Sequence, residues 1–80
     1  MKLSNQKINE RKFKNWVKTE DGGRIYTKEL KGKFGWRAEY IKIVDKNENT
    51  LEFKQNIYNE SGKLVEVHEK YPVDKGHKKL

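Results

Sequence analysis

From Trp16 to Tyr71 apolar and polar residues alternate in short runs, the period-2 pattern of half-buried strands. Runs rich in β-branched and aromatic residues cover Trp16–Thr19, Arg24–Leu30, Trp36–Val44, Leu51–Asn59 and Leu64–Tyr71. Each is cut from the next by turn chemistry: Glu20-Asp21-Gly22-Gly23, Gly32 with Gly35, the polar loop Lys46-Asn47-Glu48-Asn49, and Glu60-Ser61-Gly62. Connections this short join antiparallel neighbours and leave no room for crossover helices, so a meander is expected. Pro72 closes the last run because it has no amide to give a ladder.

The segment before the strands reads differently. Ser4 has the character of a helix N-cap, and Leu3 and Ile8 have the spacing of a hydrophobic staple across it. Helix-compatible residues continue to Lys14, but apolar positions are poorly spaced, so this helix must lean on the sheet to persist. The expected fold is therefore α+β: a short N-terminal helix packed on a four- to five-stranded antiparallel meander. It forms a single domain over residues 1–80, with helix 4–14, sheet 15–71 and a polar, fraying tail 72–80.

The last hairpin can be read to the residue. A three-residue loop with Gly62 in the left-handed conformation sets Ile57 opposite Val65 and Leu51 opposite Tyr71. Phe53, Gln55, Val67 and Glu69 then share their face, and Glu52, Lys54, Asn56, Tyr58, Leu64, Glu66, His68 and Lys70 occupy the wet one. A four-residue loop would move Val65 and Val67 into solvent, so burial favours the three-residue form.

Composition sharpens this picture. In 80 residues, 32% are hydrophobic and 39% charged, so the core must be small. Lysine and arginine number 19 against 12 acidic residues, for a net charge of +7. That field attracts polyanions, although lysine-rich surfaces also serve solubility alone. There is no cysteine, which excludes disulfides and thiolate metal sites. No apolar run reaches signal-peptide or membrane-span length, so a soluble protein is expected.

Candidate chemistry centres on the two histidines. In the register above His68 lies on the wet face beside Lys70, with Lys54 opposite. A neutral imidazole among lysines can act as a general base, and Lys70 can offset charge developing on phosphorus. His77 or Glu69 can supply the acid. These are the parts of a metal-independent ribonuclease. The plain alternative is an ordinary exposed strand histidine. Two histidines nine residues apart without organised carboxylates make a poor metal site, so no metal or other cofactor is expected. Basic and aromatic residues interleave in Lys31-Gly32-Lys33-Phe34-Gly35-Trp36-Arg37, a pattern that suits single-stranded RNA. Lys31, Lys33, Arg37, Lys54 and Tyr58 are the expected nucleic-acid contacts. Scarcity of large apolar residues instead favours Trp16 and Trp36 as core anchors. Glu48, in a polar loop, reads as an inert surface position.

Tyr40-Ile41-Lys42 through Asp45, Phe53, and above all the stretch from Lys63-Leu64-Val65-Glu66-Val67-His68 to Gly76-His77 resemble the C-terminal segments of bacterial polymorphic toxins of the contact-dependent inhibition and Rhs type. Trp16 to Tyr26 is similar to hairpins of small colicin-type tRNA-cutting domains. The resemblance implies RNA cleavage at the open face of a twisted sheet, acting in the cytoplasm, with His68, Lys70 and His77 as the candidates. It also implies an acidic immunity protein as partner, beside RNA. The alternative is a non-catalytic nucleic-acid-binding or protein-interaction module of phage or mobile-element origin.

Overall fold

The computed structural model describes residues 4–80. Helix α1 (Asn5–Lys12) is followed by β1 (Asn15–Lys18), β2 (Arg24–Lys31), a 3-10 turn (Lys33–Gly35), β3 (Arg37–Val44), β4 (Thr50–Tyr58), β5 (Leu64–Tyr71) and β6 (His77–Lys79). All strands form one antiparallel sheet in chain order, a six-stranded meander. The α+β expectation holds in this coarse form, with six strands in place of four or five. The extra strand comes from the expected tail: His77–Lys79 pairs with Glu66–His68. A three-residue strand this polar carries no periodic signal, and only its partner makes it a strand.

Three of the loops share one solution. In Thr19–Gly23, Asp45–Asn49 and Asn59–Lys63, the first residue's amide donates to the fifth's carbonyl, and the fourth residue's amide donates back to the first's carbonyl. The fourth residue then has positive φ: +87° at Gly22, +63° at Glu48 and +79° at Gly62. Gly62 is thus left-handed, as the three-residue loop requires. Asp45 and Asn59 each lend a side-chain oxygen to two amides of their own loop.

α1 lies on one face of the sheet. Ser4 caps it, its Oγ accepting from the Lys7 amide at 3.2 Å. Leu3 of the expected staple lies outside the described residues, and Ile8 is exposed. What pins the helix is polar. Asn9, only 2% exposed, donates to Glu48 Oε2 at 3.0 Å and accepts from Lys42 Nζ at 2.8 Å. The Tyr26 hydroxyl donates to the same Glu48 carboxylate, and Arg24 reaches Glu10 at 2.8 Å. Glu48, expected to be inert, therefore ties helix to sheet from a backbone conformation that favours glycine. The apolar core beside it is Phe13, Tyr26 and Val44, with Tyr40 and Phe53 packed against them. Trp16 lies on the rim, 5.8 Å from Tyr26, and Trp36 is exposed, so neither is the anchor expected of it. Phe34 projects into solvent at 89% exposure. No helix among the described residues is long and apolar enough to cross a membrane.

Candidate functional site

Two β-bulges in β5 decide where the chemistry goes. The Glu60-Ser61-Gly62 loop starts the hairpin as expected, with Tyr58 opposite Leu64. Val65 is then an extra residue: Ile57 pairs with Glu66, Asn56 with Val67, and Gln55 with His68. One inserted residue sends every later side chain to the other face. His68 therefore joins Gln55 on the helix side, while Lys54 faces Glu69 on the reverse. Lys70 is extra in the second bulge, which sets Phe53 opposite Tyr71 instead of Leu51. The expected face assignment of β5 is thus reversed from Glu66 to Lys70.

The result is a transverse row with one residue from each of five strands: Lys28, Tyr40, Gln55, His68 and His77. Gln55 donates to the Tyr40 hydroxyl at 3.1 Å. The His68 and His77 rings meet at 4.4 Å between centroids. Each imidazole has its own carboxylate. His68 Nε2 lies 2.6 Å from Asp74 Oδ1, and His77 Nδ1 lies 3.4 Å from Glu66 Oε1. The bond from His68, followed by the amide of Gly76, holds the Asp74 carboxyl below the ordinary carboxylate range. An ionised Asp74 only accepts, so Nε2 of His68 is the donor in this bond and Nδ1 takes no part in it. Among the described residues that Nδ1 is buried without a hydrogen-bond partner, and the His68 side chain is 14% exposed. His68 is therefore not the open strand histidine expected. His77 is the accessible one, at 48% exposure, and Glu66 on Nδ1 leaves its Nε2 to meet a ligand. The Lys70 ammonium lies 5.1 Å from the Tyr40 ring centroid and 5.5 Å from that of Phe53, on the same side of the sheet.

The expected binding residues do not surround this centre. Arg37 stacks over Tyr58 at 4.1 Å and pairs with Glu29 at 3.3 Å, and Lys54 pairs with Glu52, all on the reverse face. Lys31 lies opposite Arg37, and Lys33 lies in the 3-10 turn. Lys28, Tyr40 and Gln55 are the members of the row that sequence reasoning missed. Their strand positions are ordinary, and only the Val65 bulge aligns them with the histidines. Among the described residues, no group of three or more His, Cys, Asp or Glu side chains is placed to hold a metal ion. The chain matches no protein-family model, no curated protein and no solved structure. Geometry and charge therefore carry the functional reading.

Proposed function

We propose that this protein is an RNA-directed module whose paired histidines cleave the phosphodiester backbone without needing a metal, in the manner of a small bacterial toxin domain. One observation carries the reading: His68 and His77 stand in contact at a sheet edge, His68 bonded to Asp74 and His77 beside Glu66, with a lysine on the same side. His77 Nε2 takes the proton of a ribose 2′-hydroxyl, whose oxygen then attacks the adjacent phosphorus. A bond from phosphorus to the 2′-oxygen forms as the bond to the 5′-oxygen breaks. The imidazolium returns the proton to that leaving oxygen, giving a 2′,3′-cyclic phosphate and a free 5′-hydroxyl. Lys70, its ammonium over Tyr40 and Phe53, adds positive potential to the face that the RNA crosses. The Glu66 carboxylate lies 3.4 Å from Nδ1 of His77, and His68, fixed by Asp74, packs against the His77 ring.

The experiment is digestion of total tRNA and of a short RNA with and without EDTA, beside a 2′-deoxy copy of the same sequence. The expected result is EDTA-resistant cleavage of RNA alone, ending in cyclic phosphate. His77→Ala should reduce the rate by roughly two decades or more, the usual contribution of a positioned acid–base group. RNA left intact over hours, or unimpaired cleavage by His77→Ala, defeats the assignment. The second reading, a binding module without catalysis, is favoured by the burial of His68 Nδ1. It predicts salt-sensitive RNA binding with no product. An acidic partner protein fits the +7 charge on either reading.

A further inference from the structure

Beyond the histidines, the same face carries a groove that the proposed chemistry leaves unused. It encloses about 370 Å³ between the end of α1 and strands β2 to β4, lined by Lys12, Phe13, Lys28, Leu30, Tyr40 and Phe53. That is within the roughly 300–1,000 Å³ range of small-molecule sites. Its walls are two phenylalanines, a tyrosine and a leucine, its remaining lining side chains are lysines, and it has no carboxylate lining. An adjoining groove of about 410 Å³ shares Lys12 and Lys28 and adds Arg11, Lys14 and Glu29. The carboxylate there is already engaged by Arg37. Among the described residues, Lys12, Lys28 and Lys70 form no ion pair. Flat apolar walls beside uncompensated cations match the two halves of a nucleotide.

We propose that the groove walled by Phe13, Leu30, Tyr40 and Phe53 holds a base of single-stranded RNA, with Lys12, Lys28 and Arg11 taking the adjoining phosphates. The inference rests on the RNA-directed reading above. Tyr40 is two strands from His68 and three from His77 along the transverse row, or about 10 and 14 Å at ordinary inter-strand spacing. A strand anchored by one base in the groove can thus run along Gln55 to the His77 ring. The groove positions substrate and the histidine edge acts on it. This also assigns RNA to the helix side of the sheet, opposite Arg37 and Tyr58.

The test uses an eight-nucleotide single-stranded RNA carrying one 2-aminopurine, and copies of it with a base removed at single positions. The 2-aminopurine should be quenched by wild-type protein at one position of the oligonucleotide. Removing the base there should weaken binding by about 5- to 150-fold, the range for stacking one base on an aromatic platform. The double variant Lys12→Gln/Lys28→Gln should lower the slope of log affinity against log salt by about 1.4. Lys31→Gln/Lys33→Gln should leave the slope nearly unchanged. Tyr40→Leu should abolish the quench, and the abasic series decides the matter without any change to the protein. Equal affinity for every abasic copy, absence of any quench, or equal slope changes in the two double variants would overturn the groove. Cleavage is scored separately. If RNA stacks in the groove and is never cut, the catalytic reading falls and the groove stands. If RNA is cut while abasic and intact copies bind alike, the groove falls and the catalytic reading stands.

Discussion

Replacing Glu48 by alanine removes the acceptor shared by two buried donors, the Tyr26 hydroxyl and the Asn9 amide. Tyr26 is fully buried and Asn9 nearly so. A buried donor left unpaired costs about 1–3 kcal/mol, so the two together set a range of about 2–6 kcal/mol. Arg24 loses only a 3.8 Å contact and keeps Glu10 at 2.8 Å, so it adds little. A cleft of about 200 Å³ beside Asn9, Lys42 and Glu48 admits water to the orphaned groups. That access places the cost in the lower half, about 2–4 kcal/mol. Glu48→Gly makes the same loss but relieves the left-handed backbone, worth about 1 kcal/mol. Glycine should therefore be the milder substitution, contrary to its usual rank in folded segments. At about 4–8 °C per kcal/mol for a domain this size, Glu48→Ala should lower Tm by roughly 8–30 °C, with Glu48→Gly a few degrees above it. Thermal melts followed by far-UV circular dichroism and by tryptophan fluorescence measure both, and Trp16 packs directly on Tyr26. A Glu48→Ala melt within about 2 °C of wild type, or a Glu48→Gly melt below that of Glu48→Ala, would refute the account.

Other expectations follow from the same geometry. Gly62→Ala should cost only about 1 kcal/mol, because a Cβ there meets nothing within 4 Å and the penalty is the backbone's alone. Gly23→Ala should be far worse, since its Cβ would stand 2.2 Å from the Val44 carbonyl oxygen; chemical denaturation ranks the pair, and equal midpoints would contradict the packing of that turn. Glu10, Asp21, Asp45 and Asp74 all titrate below their ordinary values, held respectively by Arg24, Thr19, the Asn49 amide and His68. Because the unfolded chain binds protons first, their stabilisation is complete above the ordinary carboxylate range and is lost as pH falls through and below it. Melts from about pH 7 downward should show this decline, and a Tm flat to about pH 2 would count against these pairings. Ser4→Ala should destabilise by about 1 kcal/mol through loss of the cap.

The meander, its loops and the left-handed Gly62 were legible because turn chemistry is local: Asp-Gly, Ser-Gly and the alternation around them act within a few residues. The face of His68 was not, because it hangs on Val65 being skipped. Valine at a bulge looks like valine in a ladder, and only the sum of pairings across β3, β4 and β5 chooses between them. The helix posed a similar difficulty. Its buried contact is Asn9, a residue that hydrophobic periodicity discounts, and the matching acceptor lies 39 positions on in a loop that reads as solvent-exposed. His77 was picked out as a candidate, but its placement beside His68 depends on a strand that does not exist without β5. Composition anticipated a small core, and the buried apolar cluster is indeed three residues with two partners. The polar ties around Glu48 supplement what so few apolar side chains provide.

A sheet laid out in chain order keeps two open edges, and here both are built to refuse company. β1 is four residues long and β6 three, with Lys18 at one border and Lys78 and Lys79 at the other. A second sheet docking edge to edge would bring these ammonium groups together while gaining only a few ladder bonds, the arrangement by which proteins discourage strand-to-strand polymerisation. Neutralising Lys78 and Lys79, by acetylation or by substitution with valine, would leave β6 a short apolar template ending beside an exposed Leu80. Light scattering at rising protein concentration should then show assembly that the unmodified chain resists, and high salt should mimic part of the effect by screening the lysines.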